Sequence, residues 1–287
     1  MPIEYQLTIV VVTYNSAHCI ERLSEGIRHL QHIIVVDNGS EDDTIAICQR
    51  FLPQARIEAA GENLGFGAAN NRALKSVETP FALLLNPDCE VTSQAIDDLI
   101  AVAQTQSDAA MWVPQVVNEA GRSMLNYGWA KHLWKSKGVA AEGLCCVAYA
   151  TGAVMLLNMS VTRPHGYFDE AFFLYYEDDD LCLKYFNAHL PIIVVPQVTV
   201  FHASRGSVKT KSPVKQEYWR GYHHAQSKIL MVEKYQNANV AQRLRLRKMS
   251  SGVLAALFRA LTLNARLCAR MVGRVVGLWQ YKDMRRA

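Results

Sequence analysis

Two acidic groups, far apart in the chain, hold the residue types that suit a divalent cation and a general base. The first is Asp88, which follows the apolar run Phe81-Ala82-Leu83-Leu84-Leu85 and the polar step Asn86-Pro87. A continuous apolar run of that length, bounded by a turn signal, reads as a fully buried strand of a parallel sheet. Pro87 has no amide for a ladder, so the strand ends there. Asp88 then stands just beyond the carboxyl end, where open α/β sheets bind ligands. A carboxylate so placed suits a divalent cation shared with substrate phosphates, or caps the helix that follows. The second group is Glu177-Asp178-Asp179-Asp180, between an aromatic block ending at Tyr175-Tyr176 and an amphipathic helix. One or two acids in a first helical turn answer to the macrodipole alone. The aromatic approach desolvates the others and raises their pKa towards that of a general base. His202 directly follows a late β-branched run, Pro191 to Phe201. Such a His serves as a structural hydrogen-bonder, or as a second metal ligand if its strand reaches the Asp88 edge.

The elements that must position these groups alternate. Leu7 to Val12 reads as a first strand, with a helix to about Leu30, and Ile33 to Val36 as a second. Ser40 with Asp43 three residues on resembles a capping box, opening a helix to about Leu52. A short strand near Ile57 to Ala59 precedes the turn Glu62 to Asn71, which runs into a helix; strand 81–85 and a helix from Ser93 to about Gln104 follow. This β-α-β-α order predicts a doubly wound α/β sheet. Gly65-Phe66-Gly67 lacks the third glycine of GxGxxG and follows the third strand, so a dinucleotide site is excluded, and no Walker A sequence occurs. Strand-like segments recur at Met111 to Val113 and Ala150 to Leu157. Between them lies an aromatic, basic stretch with Tyr127, Trp129, His132, Trp134, Lys135 and Lys137.

Half of the 287 residues are hydrophobic, an ordinary globular proportion. Seven cysteines with no repeated spacing read as reduced thiols, and Met1 to Leu7 holds no apolar signal core, so a cytoplasmic location is expected. The formal net charge of +4 conceals an asymmetry, because residues 240–287 carry eleven Lys and Arg against Asp283 alone. An acidic body with a basic tail suggests two jobs in one chain. The expected division is a catalytic domain over residues 1–239 and a basic amphipathic tail over 240–287. In that tail Arg259, Arg266, Arg270 and Arg274 fall within a narrow arc of one helix from Ser250 to about Tyr281, among Val253, Leu257, Leu261, Met271, Val275 and Leu278. That is the pattern of a helix lying on an anionic membrane surface, or of one packed on the domain with a solvated Arg edge. The acidic body offers no extended basic surface for nucleic acid.

In order and spacing, these pieces resemble the inverting family 2 glycosyltransferases of the GT-A fold, in the branch that contains bacterial rhamnosyltransferases. The resemblance rests on Val11 to Asn15, Val36 to Ser40, Asn63 to Asn71, Leu85 to Asp88, Thr151 to Ala153, Phe168 to Glu170, Glu177 to Lys184 and His202, and covers about residues 5 to 235. It implies a mixed, mainly parallel sheet flanked by helices. Thr13 and Asp37 would line a nucleoside pocket, with Asn15, Asn63 and Gly152 also in the nucleotide-sugar site. Asn86 and Asp88 would stand for the family's DxD pair, with Asp88 holding Mg2+ or Mn2+ against the donor diphosphate. Asp178 would be the general base, Glu177 its neighbour, and His202 a contact to the metal or diphosphate. Asn86 in place of the first acid is shared with the rhamnosyltransferase branch and favours dTDP-L-rhamnose as donor. The implied acceptor is a glycan or polyprenyl-diphosphate-linked glycan, reached from the cytoplasmic face of the inner membrane.

Three other readings compete. A UDP-sugar-dependent transferase of the same fold differs only in donor. A nucleotidyltransferase would need a Gly-rich loop after the first strand, which Val12 to Ser16 lacks. A catalytically silent binding module sits badly with intact Asp37, Asp88 and Asp178.

Overall fold

A computed structural model of the chain describes residues 6–128, 139–203, 206–209 and 212–281. Of the stretches singled out above, Trp129, His132, Trp134, Lys135 and Lys137 lie outside the described residues. The chain divides into two compact units, Met1–Asp169 with Asp178–Lys209, and Glu170–Glu177 with Thr210–Ala287. The sequence reading instead divides it after residue 239.

The first unit opens with β1 (Leu7–Thr13), α1 (Ala17–Ile27), β2 (Ile33–Asp37), α2 (Thr44–Phe51), β3 (Arg56–Ala59), α3 (Phe66–Leu74) and β4 (Phe81–Leu85). It continues with β5 (Cys89–Glu90), α4 (Ser93–Thr105), β6 (Met111–Val117), β7 (Ser123–Met124), β8 (Tyr127–Gly128), β9 (Cys145–Cys146), β10 (Tyr149–Ala150) and β11 (Val154–Asn158). A short α5 (Met159–Thr162), α6 (Glu177–Asn187) and β12 (Ile192–His202) follow. The main sheet runs β3-β2-β1-β4-β11-β6-β12-β5. Strands β3, β2, β1 and β4 are mutually parallel, as are β6 and β12, whereas β11 runs antiparallel to both β4 and β6. The apolar run of β4 is thus buried at the centre of the sheet, with a parallel neighbour on one side and an antiparallel one on the other.

Period-2 alternation splits the strand side chains between two apolar layers. Ile9, Val11, Leu83 and Leu85 pack in one layer with Ile20, Leu23, Ile96 and Leu99 of α1 and α4. Val10, Val36, Leu84 and Met155 pack in the other with Ala69 and Ala73 of α3 and Leu181, Cys182 and Tyr185 of α6. The acids that open α6 are therefore carried on a helix whose opposite side is locked into the core. One expectation needs correction. Ser40 caps no helix: α2 begins at Thr44, and the Ser40 hydroxyl and amide both turn back to Asp37.

The second unit is built on α7 (Pro213–Tyr235), α8 (Ala238–Leu261) and α9 (Ala265–Gln280). The single helix expected from Ser250 to Tyr281 is two helices. The break lies at Thr262–Asn264, where Leu263 takes φ 52° and the Asn264 side chain caps α9 by accepting from the Leu267 amide. Arg259 is accordingly on α8, while Arg266, Arg270 and Arg274 are on α9, and Arg270 forms an ion pair with Glu217 of α7. Helices α7 and α9 approach so closely that a Cβ on Gly273 would lie 2.0 Å from the Tyr218 carbonyl oxygen, and one on Gly221 2.0 Å from that of Arg270. The outer side of α8 leaves Leu254, Leu257, Phe258 and Leu261 exposed, Leu261 by 83%.

Candidate active site

The β4 ladder ends where Pro87 must end it, and the chain turns at once into the two-residue strand β5. That strand pairs with the end of β12 in the register Phe201↔Glu90 and His202↔Cys89. This pairing, which the sequence did not reveal, brings His202 beside Asp88. His202 Nε2 stands 3.4 Å from Asp88 Oδ1, and the Ala203 amide donates to the Asp88 carbonyl at 3.1 Å.

Asp88 is buried, and its two oxygens are treated differently. Oδ2 accepts the Gly206 amide at 2.9 Å. Oδ1 faces His202 and has no hydrogen-bond partner among the described residues. A buried carboxylate oxygen left in that condition is costly unless a further group completes it. Burial works to raise the Asp88 pKa, and His202 with the Gly206 amide outweighs it, holding the group below the ordinary carboxylate range. Asp88, Cys89 and His202 offer ligand atoms all within 4.8 Å of one another. Burial, and then the charge of Asp88, push the Cys89 thiol well above its usual range, and its Sγ is already engaged as a donor to the Ala153 carbonyl at 3.5 Å. What remains is one carboxylate and one imidazole. That set fits a hard divalent cation such as Mg2+ or Mn2+ whose other positions are filled by phosphate oxygens and water.

The second acidic group opens α6. Asp178 Oδ2 accepts the Gly152 amide at 3.0 Å, and Oδ1 accepts the Asp179 amide at 2.9 Å. A side chain at Gly152 would be a tight fit, because a Cβ there would meet the Phe66 ring at 3.2 Å, with Asp178 Cβ in ordinary contact at 3.5 Å. The next residue reaches the other group, since Ala153 O accepts the Asn86 amide at 3.0 Å. One short turn between β10 and β11 thus holds Asp178 and the backbone two residues before Asp88. Burial raises the Asp178 pKa, and burial with the charges of Asp178 and Asp180 lifts Asp179 from 3.8 to about 8. The backbone entering α6 is strained, with Tyr175 at φ 70° and Tyr176 at φ 69°.

At the ends of β1 and β2 the structure sets Thr13 opposite Asp37. Thr13 Oγ1 donates to Asp37 Oδ1 at 3.0 Å, and Ser40 adds its hydroxyl to Oδ1 and its amide to Oδ2. Asp37 is buried and well supplied with donors from its own loop. Asn15, at φ 51°, accepts the Glu41 amide on its side chain, and its carbonyl takes the Lys209 amide at 3.2 Å. Asn63 Oδ1 accepts from the Gly65 amide and from Asn38. Asn38, which sequence reasoning passed over, ties the end of β2 to that turn through Leu64, Asn63 and Gly65. Also missed was residues 206–209, which cross the end of β1. Gly206 meets Asp88, His18 and Cys19, and Ser16 Oγ donates to Ser207 O at 2.7 Å. The only sequence signal for this strap is that a glycine follows His202 by four residues.

Among known proteins, the model for glycosyl transferase family 2 matches residues 8–158. A low-salt glycan biosynthesis hexosyltransferase of Haloferax volcanii is 26% identical over 189 residues, 62% of this chain and 61% of that protein. An N-acetylglucosaminyl-diphospho-decaprenol L-rhamnosyltransferase of Mycobacterium tuberculosis is 25% identical over 232 residues, 68% of this chain and 75% of its own. The chain thus spans between about three fifths and three quarters of the curated relatives it matches here. Among solved structures, the mannosyltransferase PcManGT of Pyrobaculum calidifontis, in complex with GDP-Man and Mn2+, superposes with a TM-score of 0.57 at 14% identity, over 96% of this chain and 88% of its own. That likeness is one of fold.

Proposed function

The chain belongs to glycosyl transferase family 2, and from that premise we propose that it is an inverting glycosyltransferase. It moves L-rhamnose from dTDP-L-rhamnose to a glycan or lipid-linked glycan in cell-surface polysaccharide synthesis. The observation that carries this reading is the shared turn, in which Gly152 N donates to Asp178 while Ala153 O takes the amide of Asn86, two residues before Asp88. A substitution at an anomeric carbon needs a site for the leaving phosphate and a separate base for the incoming hydroxyl, and this turn spaces the two.

Asp178 receives the acceptor hydroxyl's proton. A carboxylate has about four acceptor positions, and the Gly152 and Asp179 amides use two of them, which fixes the group and leaves it able to accept. As the proton leaves, the hydroxyl oxygen bonds to the anomeric carbon from the face opposite the diphosphate. The carbon–oxygen bond to phosphate breaks, and its electron pair departs with the nucleoside diphosphate. Asp88 and His202 would hold a divalent cation, which when bound would neutralise charge on that leaving group. Thr13, Asn15, Asp37 and Asn63 shape the nucleoside end, Asp37 from within its hydrogen-bonded loop. Glu177, beside the base, supports it.

The rhamnose and lipid-linked parts of the proposal draw support from the mycobacterial relative, whose name specifies both. Attachment to an anionic membrane draws support from the basic surplus after residue 240 and from the exposed apolar side of α8. No helix among the described residues is long and apolar enough to cross a membrane. Calorimetric titration with dTDP, UDP and GDP, with and without Mn2+, tests the donor. Metal-dependent binding of dTDP in preference to the others is expected, preference for UDP or GDP rejects the rhamnose assignment, and binding of none rejects the transferase.

A further inference from the structure

A run of exposed apolar residues occupies the junction of α8 and α9. Leu254, Leu257, Phe258 and Leu261 follow one another along a single face of α8, and Leu263 in the turn beyond is 91% exposed. From Met249 to Ala265 the sequence carries one charge, Arg259, which falls on the other side of the helix. The turn itself points to an apolar partner. The Leu263 amide donates to Ala260 O at 3.0 Å and the Asn264 amide to Arg259 O at 3.0 Å, the paired bonds that close a helix on a left-handed residue. Glycine or asparagine takes that position readily, whereas here a leucine holds it at φ 52°. In water Leu263 strains the backbone and buries almost nothing. Exposed cations border the apolar run. Arg243 and Arg247 share its face of α8, Arg247 about 10 Å before Leu254 along the axis, and Arg266 opens α9. The other arginines of α9 are placed differently. Arg270 is ion-paired with Glu217, and Arg274 is half-buried where α9 meets α7, its amide nitrogen 3.1 Å from where a Cβ on Gly221 would lie.

We propose, on the footing of the membrane attachment above, that the α8–α9 junction dips into an anionic bilayer. Leu254, Leu257, Phe258, Leu261 and Leu263 enter below the headgroups, while Arg243, Arg247 and Arg266 stay among the phosphates. The contact is then the turn and the far half of α8, and not the arginine stripe of α9 lying flat. A face that is basic at one end and apolar some ten ångströms further on matches the passage from headgroups to acyl chains. Arg259 reaches back to the headgroups along its apolar stem. Insertion also gives Leu263 the burial that its strained turn lacks in water.

The test is flotation of the full chain with vesicles of phosphatidylcholine and phosphatidylglycerol, with the wild type set beside a Leu257→Ser, Leu261→Ser, Leu263→Asn triple variant. Retention of the wild type that depends on phosphatidylglycerol, and is weakened at least about tenfold in the variant, is the expected result. All three side chains are exposed, so metal-dependent nucleotide binding should be equal in the two proteins and shows that the variant is folded. Leu263→Asn alone keeps the test decisive if the triple variant fails to fold. It should raise Tm without lipid, because asparagine relieves the turn, and weaken retention at the same time. Hydrogen exchange of the wild type should slow on addition of vesicles at residues 254–264 more than along α9. Equal retention of wild type and variants, or protection by lipid confined to α9, overturns the insertion and leaves membrane attachment standing. No retention of the wild type overturns both. Self-association of the wild type that the triple variant abolishes, with neither protein retained, assigns the face to a second copy and overturns the proposal.

Discussion

Gly152 N and Asp178 Oδ2 lie 3.0 Å apart, and the carbonyl of the next residue, Ala153, takes the Asn86 amide. Asp178 and the backbone leading to Asp88, some ninety residues apart in sequence, are thereby fixed to a single turn. On the proposed reading, such a turn would make the spacing of base and leaving-group site a property of the backbone rather than of mobile side chains, which is what a near-attack geometry requires.

Replacing Gly152 should therefore harm transfer more than folding. In Gly152→Ala the new Cβ meets the Phe66 ring at 3.2 Å, so that ring must give by a few tenths of an ångström right beside Asp178, whose Cβ lies in ordinary contact at 3.5 Å. A fall in kcat of roughly ten- to a hundredfold, with donor affinity kept, is expected from steady-state kinetics.

Asp88→Asn removes the charged member of the proposed metal set. Mn2+-dependent donor binding should weaken by on the order of a hundredfold, while metal-independent binding stays as it was. His202→Ala should have a smaller effect of the same kind. Calorimetry across a Mn2+ series measures both.

The Asp179 carboxyl carries a pH signature. Its folded pKa is raised above its unfolded value, so the stability it contributes is fully present below about 3.8 and is lost as pH rises through about 8. Asp179→Asn should therefore raise Tm at pH values above 8 and change it little in acid. His224 has the opposite sign. Depressed from 6.5 to about 4, it contributes stability above pH 6.5 that is lost as pH falls through about 4. Thermal melts of wild type, Asp179→Asn and His224→Gln across this range separate the two.

Gly273→Ala places a methyl group 2.0 Å from the Tyr218 carbonyl oxygen, against backbone that cannot yield cheaply. Overpacking of this kind costs about 1–3 kcal/mol. The loss should appear in denaturant unfolding as reduced protection of α7 and α9 in hydrogen exchange, with the sheet protected as before.

Much of this arrangement was legible in the residues. Leu83 and its neighbours could only be a buried strand, Pro87 had to end it, and Asp88 had to stand at its mouth. The acids of Glu177 to Asp180 at a helix start were equally plain, because an aromatic block and an amphipathic repeat bracket them. What stayed hidden was long-range pairing. The two-residue bridge of β5 with β12 has no periodicity to read, yet it delivers His202 to Asp88. The strap at Gly206 and the bond from Gly152 to Asp178 are backbone contacts, which side-chain identity does not specify. Ser40 was misread because its hydroxyl had two uses, helix cap or partner for Asp37, and burial of Asp37 favoured the second. In the tail, Arg periodicity ran smoothly across a break that Asn264 marks as an N-cap.

The central claim is that Asp178 takes the proton from the acceptor hydroxyl. Its most direct test is the single-turnover rate of sugar transfer from dTDP-L-rhamnose to a lipid-diphosphate-linked glycan by Asp178→Asn, set beside calorimetric donor binding by the same protein. The account predicts a rate reduced by roughly 10²–10⁴-fold with donor affinity unchanged. Transfer within a few-fold of wild type would contradict it and move the base to another group.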